Sequence, residues 1–153
     1  MATMRWKGID QYIAALQRVH GESEETVKRA LYDGAGVVAD AIKGGLGGIQ
    51  TRDPDQWYEV TAPGPTPQEK ADLISGFGLA HMQNRNGYIS TKAGFSGRSE
   101  KSTVATVARN VESGTSWMRK QPVIRRAANS ARGAAEAKMG QTLDDEIRKL
   151  MGR

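Results

Sequence analysis

Hydrophobic positions recur at helical spacing in three stretches of the chain. Ile9, Tyr12, Ile13, Leu16 and Val19 predict a first short helix, closed by His20-Gly21. Gly8 precedes it, and Asp10 falls in its first turn, where negative charge suits the helix dipole. Ser23 or Glu22 opens a second helix. Its stripe of Val27, Leu31, Gly34, Val38 and Ala41, widened by Ala30, Val37 and Ile42, is amphipathic. Gly34 and Gly36 weaken this helix and suggest close approach by another backbone. The cluster Gly44-Gly45-Leu46-Gly47-Gly48 is expected to stop it. After Pro122, the residues Ile124, Ala128, Ala131, Ala135, Met139, Leu143, Ile147 and Leu150 keep steps of three and four. A continuous helix of about 28 residues would span roughly 42 Å, with Gly133 and Gly140 as candidate kinks. Its part from Ala127 to Ala137 has a small face, suited to close packing within a subunit or around a ring.

Residues 49–66 break the helical pattern and read as an exposed, extended loop holding most of the prolines. Such long irregular segments are usually functional or mobile. The adjacent aromatics Trp57 and Tyr58 make it a candidate anchor, docking on this subunit or on a neighbour. Thr66-Pro67-Gln68-Glu69 is a capping box with proline at the first helical position, predicting a short helix to about Ile74, broken by Ser75-Gly76. Phe77–Met82 and Tyr88–Phe95 read as two strands joined by the turn Asn84-Arg85-Asn86-Gly87. Thr103–Ala108 reads as a third strand. The predicted fold is therefore α+β in one domain, residues 1–153: a small antiparallel β-sheet flanked by a long C-terminal helix and two or three other helices. The sheet's edges would be open to a second subunit.

Composition narrows the function. The chain has 153 residues and no cysteine, which removes disulfides, thiol catalysis and cysteine-based zinc sites and suits a reducing cytosol. The N-terminal residues lack the apolar core of a signal peptide, and no run approaches a membrane span, so a soluble chain made in the cytoplasm, with no membrane partner, is expected. The net charge is +5, but from Arg98 to Lys138 nine cations face three acids, an excess of +6. Polyanion binding is compatible with that excess without being required by it.

Candidate catalytic chemistry is sparse. His20 and His81, the two histidines, have no carboxylate at ligand spacing and read as surface or packing residues. The glycine cluster at 44–48 follows a helix instead of a strand and lacks a closing Gly-Lys-Ser/Thr, so it reads as a linker and not a phosphate loop. Asp144-Asp145-Glu146 reads as a solvated helix face with Arg148 and Lys149 in pairing range. No enzyme activity, cofactor or metal is expected. Arg119, Lys120, Arg125 and Arg126 form a basic cluster. Arg125 and Arg126 lie in the first turns of the last helix, where the dipole disfavours cations. An acidic patch on a neighbour, a nucleic-acid backbone or simply solvent would compensate.

The sharpest local pattern is Val111-Glu112-Ser113-Gly114-Thr115-Ser116-Trp117-Met118, followed by Gln121-Pro122-Val123-Ile124-Arg125-Arg126-Ala127. Gly114 can take a positive φ, and Ser113, Thr115 and Ser116 can satisfy local backbone groups. Trp117 and Met118 then present apolar surface just before a helix, and Glu112 is a candidate partner for Arg125 or Arg126. The segment is either an intramolecular corner or one that docks on the next copy.

At this corner the chain resembles the tail-component family of lambda-like and other long-tailed bacteriophages, the head–tail joining or tail-completion proteins. Members carry Glu, any residue, Gly-Thr, a short polar and Met stretch, then Pro-aromatic-aliphatic-Arg-Pro-Ala. Glu112, Gly114, Thr115, Met118, Pro122, Ile124, Arg125 and Ala127 match in order. Val123 replaces the usual aromatic and Arg126 the second proline. Gly8-Ile9-Asp10, the helix Ala30–Ile42, and Ala62-Pro63 followed by Asp72-Leu73-Ile74-Ser75-Gly76 fit more loosely.

The resemblance implies a virion structural subunit without catalysis, assembled in the host cytoplasm as a sixfold ring at the head-proximal end of the tail. Its partners would be copies of itself, the tail terminator or tail tube protein, and a neck or head-completion protein, with genome DNA passing through the bore. Cyclic closure needs an interface whose two halves differ. The sheet edge and the 111–118 corner are the expected first half, and the face of helix 23–43 or the 51–65 loop the second. Candidate interface residues are Glu112, Gly114, Thr115, Trp117, Met118, Arg125, Arg126, Trp57 and Tyr58. The alternative is a nucleic-acid-binding module using the basic 98–138 segment.

Overall fold

The computed structural model describes residues 23–53, 55 and 64–151. The helix predicted over residues 9–19, and Trp57 and Tyr58, lie outside the described residues. The described fold is α+β. Its elements are α1 (Ser23–Gly47), α2 (Pro67–Gly76), β1 (Phe77–Leu79), β2 (Gln83–Arg85), β3 (Tyr88–Ser90), β4 (Ala93–Phe95), α3 (Val104–Ser113) and α4 (Val123–Met151).

The frame is an antiparallel pair of long helices. Gly45 of α1 lies against Val123 and Ala127 at the start of α4, Gly34 against Met139, and Arg29 bridges to Glu146 near the end of α4. The stripe predicted for α4 is the one that is buried: Ala131, Ala135, Met139 and Leu143 are inside, with Ile124, Ala128, Ile147 and Leu150 half-buried. At 29 residues α4 runs about 43 Å, unbroken through Gly133 and Gly140. The glycine cluster at 44–48 stops α1 as expected, but only at Gly47, so the helix runs through most of the cluster. Close packing explains this: a Cβ at Gly45 would stand 3.4 Å from the Val123 carbonyl oxygen, and Leu46 is fully buried beside it. Gly34 answers to the Met139 side chain, whereas Gly36 faces open space.

The main core lies toward the α1 C-terminus, where Val38, Ile42 and Leu46 meet Leu73 of α2, Phe77 of β1, and Val107 and Val111 of α3. Each fully buried leucine there contributes about 1.5–3 kcal/mol. A smaller cluster of Val27, Ala30 and Leu143 closes the other end, with Ile89 of β3 packed on it.

α2 begins as predicted. The Thr66 hydroxyl accepts from the Glu69 amide at 3.2 Å, and the Glu69 carboxylate accepts from the Thr66 amide at 2.9 Å. The strand pair differs from the expectation of one continuous sheet. β1 pairs with β4, Phe77 opposite Phe95, and β2 with β3, Arg85 opposite Tyr88 across the Asn86-Gly87 turn. Both turn residues have positive φ, 54° and 83°, as this two-residue connection requires. Between the two arms, residues 80–82 face residues 91–92, so one extra residue shifts the register and divides the hairpin into two short sheets. The Thr91 hydroxyl donates to the Ala80 carbonyl at 2.7 Å in this break.

The strand expected at Thr103–Ala108 is instead the start of α3. Val104, Val107, Ala108 and Val111 are all buried, a spacing of three, four and seven that places them on one helical face. Thr103 caps this helix, its hydroxyl accepting from the Thr106 amide at 3.3 Å. The loop expected over 49–66 is pinned at both ends: Ile49 and Pro65 are buried, and the Arg52 amide donates to the Pro65 carbonyl at 3.0 Å.

Candidate assembly surface

The corner between α3 and α4 is built by the residues that drew attention in the sequence. Gly114 adopts φ 74° and donates its amide to the Asn110 carbonyl at 2.8 Å, ending α3. A Cβ there would press within 3.0 Å of the Lys120 amide, so glycine is needed twice, for φ and for space. The Thr115 hydroxyl accepts from the Met118 amide at 3.0 Å and the Trp117 amide at 3.4 Å, and the Thr115 amide donates to the Met118 carbonyl at 3.0 Å. The Gln121 amide donates back to the Val111 carbonyl at 2.8 Å, which sets the corner's exit beside its entrance.

Glu112 does something other than pair with an arginine side chain. Its two carboxylate oxygens accept the backbone amides of Ile124 and Arg125, each at 3.0 Å. It therefore supplies the anion at the α4 N-terminus from the last turn of α3. This offsets the unfavourable placement of Arg125 and Arg126 in that turn. The compensating charge lies inside the subunit.

Sequence reasoning missed a second clasp. The Gln121 side chain receives the Gln50 amide at 2.9 Å and donates to the Gln50 carbonyl at 3.0 Å, imitating a strand partner. Gly64 lies against the same spot, where a Cβ would collide with the Gln50 carbonyl. The signal was weak: one glutamine before Pro122 and a glycine between two prolines.

The nine candidate residues thus divide. Glu112, Gly114 and Thr115 fold the corner, and Met118 is half-buried against the core. Trp117 projects with 60% of its surface exposed, and Arg125 and Arg126 are exposed beyond it. Trp57 and Tyr58 lie outside the described residues. The face of α1 that carries the predicted stripe is turned inward onto α4 and the core.

Charge is distributed unevenly between the two ends of the helix pair. At the α1 N-terminus and α4 C-terminus, Lys28 pairs with Glu24 at 2.8 Å, and Glu146 takes Lys149 at 2.8 Å and Arg29 at 3.0 Å. The Lys28 ammonium, with the Asn84 amide beside it, holds Glu24 below the usual carboxylate range; Lys149, then Arg29, does the same to Glu146. Glu24 in turn raises Lys28. At the corner end, Lys43, Arg109, Arg119, Lys120, Arg125 and Arg126 make no ion pair among the described residues.

Elsewhere the polar groups are structural. The buried Ser99 hydroxyl donates to Asp72 at 2.6 Å, tying α2 to the loop before α3, and His81 is exposed. Among the described residues no cluster of three or more His, Cys, Asp or Glu is placed to hold a metal, and no helix is long and apolar enough to cross a membrane. No protein-family model, curated protein or solved structure matches the chain.

Proposed function

We propose that this chain is a structural subunit of a tailed-phage particle, of the kind that forms a sixfold ring joining the tail to the head or neck. One observation carries the reading. The residues of the resemblance, Glu112, Gly114 and Thr115, are hydrogen-bonded into a corner that leaves Trp117 largely exposed. A corner presenting an exposed tryptophan, followed by exposed Arg125 and Arg126 that make no ion pair among the described residues, has the composition of an interface anchor. The socket for it would lie on the next copy, since a closed ring needs two different half-surfaces on each subunit. On this reading the ring meets a tail terminator or tail tube protein on one side and a neck or head-completion protein on the other, in the virion.

The test is the mass of the purified protein together with negative-stain images. Six-membered rings that are lost in Trp117→Ala, with the fold intact by circular dichroism, support the reading. A wild-type protein that is monomeric alone and also fails to join co-expressed tail and neck proteins overturns it.

The unpaired cations at the corner end favour a second reading, a nucleic-acid-binding module. Its signature would be duplex DNA affinity that falls steeply with salt and is lost in Arg125→Glu with Arg126→Glu.

A further inference from the structure

The outward face of α4 has a property that the corner does not explain. Arg126 and Asp144 are 18 residues apart, five full turns, so they stand on one line of the helix about 27 Å from each other. Between them on that line come Ser130, Gly133, Ala137 and Gly140. All six residues are exposed, and the line runs opposite the buried Ala131, Ala135 and Met139. Neither Arg126 nor Asp144 has an ion-pair partner among the described residues. Glycine within a helix costs about 1 kcal/mol relative to alanine, yet a Cβ at Gly133 or Gly140 would meet nothing within 4 Å.

We propose that this face of α4 docks on the same face of a second copy, antiparallel, with Arg126 of each chain paired to Asp144 of the other. The charge pattern selects both occupant and direction. A two-fold axis beside residue 135 sets 126 opposite 144, 130 opposite 140 and 133 opposite 137. Parallel docking would instead put Arg126 on Arg126 and Asp144 on Asp144. A nucleic-acid backbone would gain nothing from a face on which Asp144 and Asp145 offset the cations, and a lipid surface would find no large apolar side chain here. The small residues let the helix axes approach to the short end of the usual 8–10 Å range. A single helix face is a small interface, below about 1,200 Å² in total, so the dimer is weak and concentration-dependent. It makes no use of Trp117, although Arg126 also belongs to the corner surface proposed above.

The chain has no cysteine, so the register can be read directly. Ser130→Cys mixed with Gly140→Cys should give a disulfide-linked dimer on mild oxidation, whereas each variant alone should not, its own cysteines being about 15 Å apart along the axis. In sedimentation, Arg126→Asp or Asp144→Arg should weaken association about tenfold or more. The double variant R126D/D144R, or a mixture of the two single variants, should restore it. A wild type that stays monomeric with no mixed disulfide overturns the proposal. So does association that is indifferent to both reversals, or a loss on reversal confined to binding DNA or another protein. Trp117→Ala should leave this dimer intact, so failure of the ring and failure of this contact are separately visible.

Discussion

Glu112, on the last turn of α3, closes the first turn of α4 through the amide of Ile124 at 3.0 Å, with the Arg125 amide taken by its other oxygen. Two helices that meet at a corner are thereby joined end to end, beside the core in which Val111, Val123 and Ile124 pack. Glu112→Ala should cost about 1–3 kcal/mol, since it removes a charge-assisted cap and leaves two helix N–H groups without their partner. In a chain of this size that is about 2–4 °C of melting temperature per kcal/mol. Glu112→Gln, with one acceptor oxygen and no charge, should fall between. Urea unfolding of the three proteins checks the order; equal stability of alanine and wild type would remove Glu112 from this role.

Gly34 and Gly36 make a matched pair on α1. A Cβ at Gly34 would fall onto the buried Met139 side chain, with its sulfur at 3.0 Å, while one at Gly36 meets nothing within 4 Å. Gly36→Ala should therefore stabilise the protein by about 0.5–1 kcal/mol through helix propensity alone. Gly34→Ala gains the same propensity but overpacks the core, at a cost of about 1–3 kcal/mol, so its net effect should be destabilising. Thermal melts with opposite signs are the expected outcome.

The sequence revealed those elements whose signals are local. The capping box at Thr66 and Glu69, the Asn86-Gly87 turn and the long apolar stripe of α4 each act through neighbours a few residues away, and each is present in the structure. Two features depended on contacts distant in sequence; one was placed a few residues early and the other was misread. Gly44–Gly48 does end α1, but packing of Gly45 against Val123 carries the last turn to Gly47. Val104 and Val107 favour a strand by their β-branches, but Val104, Val107, Ala108 and Val111 are all buried in one core with Leu73 and Phe77, a spacing that fits a helical face. At the corner, glycine, threonine and glutamate were legible as candidates. The partner of Glu112 was not, because a backbone amide has no residue identity to read.

Thr103 tests that misreading. As the cap of α3, its hydroxyl accepts from the Thr106 amide and also meets the Thr106 hydroxyl at 2.9 Å. Thr103→Ala should cost about 0.5–2 kcal/mol and lower the exchange protection of the first amides of α3. Thr103→Ser, which keeps the hydroxyl, should retain most of the stability. In a strand, loss of the β-branch would matter more than loss of the hydroxyl, so serine and alanine would then behave alike. Hydrogen exchange over residues 103–108 separates the two outcomes.

Acid should loosen the end of the helix pair remote from the corner. Glu146 and Glu24 are held below their ordinary value of 4.5 by Lys149 with Arg29, and by Lys28, respectively. A carboxyl whose folded pKa is depressed contributes stability above its unfolded value and loses it as pH falls through the folded one. Stability should therefore decline between roughly pH 5 and 3. Lys28, raised by Glu24, gives the opposite sign at high pH: its contribution is present below 10.5 and lost as pH rises through the folded value. These groups are at the surface, so the effect is modest and shrinks with salt. Glu146→Gln should flatten the acid limb, because it removes the one ion pair among the described residues that joins α1 to α4. Urea midpoints of wild type and Glu146→Gln, measured from pH 7 to pH 3 at low salt, should converge as pH falls; a gap that stays constant over that range would mean that the Arg29–Glu146 pair contributes nothing to holding the two helices together.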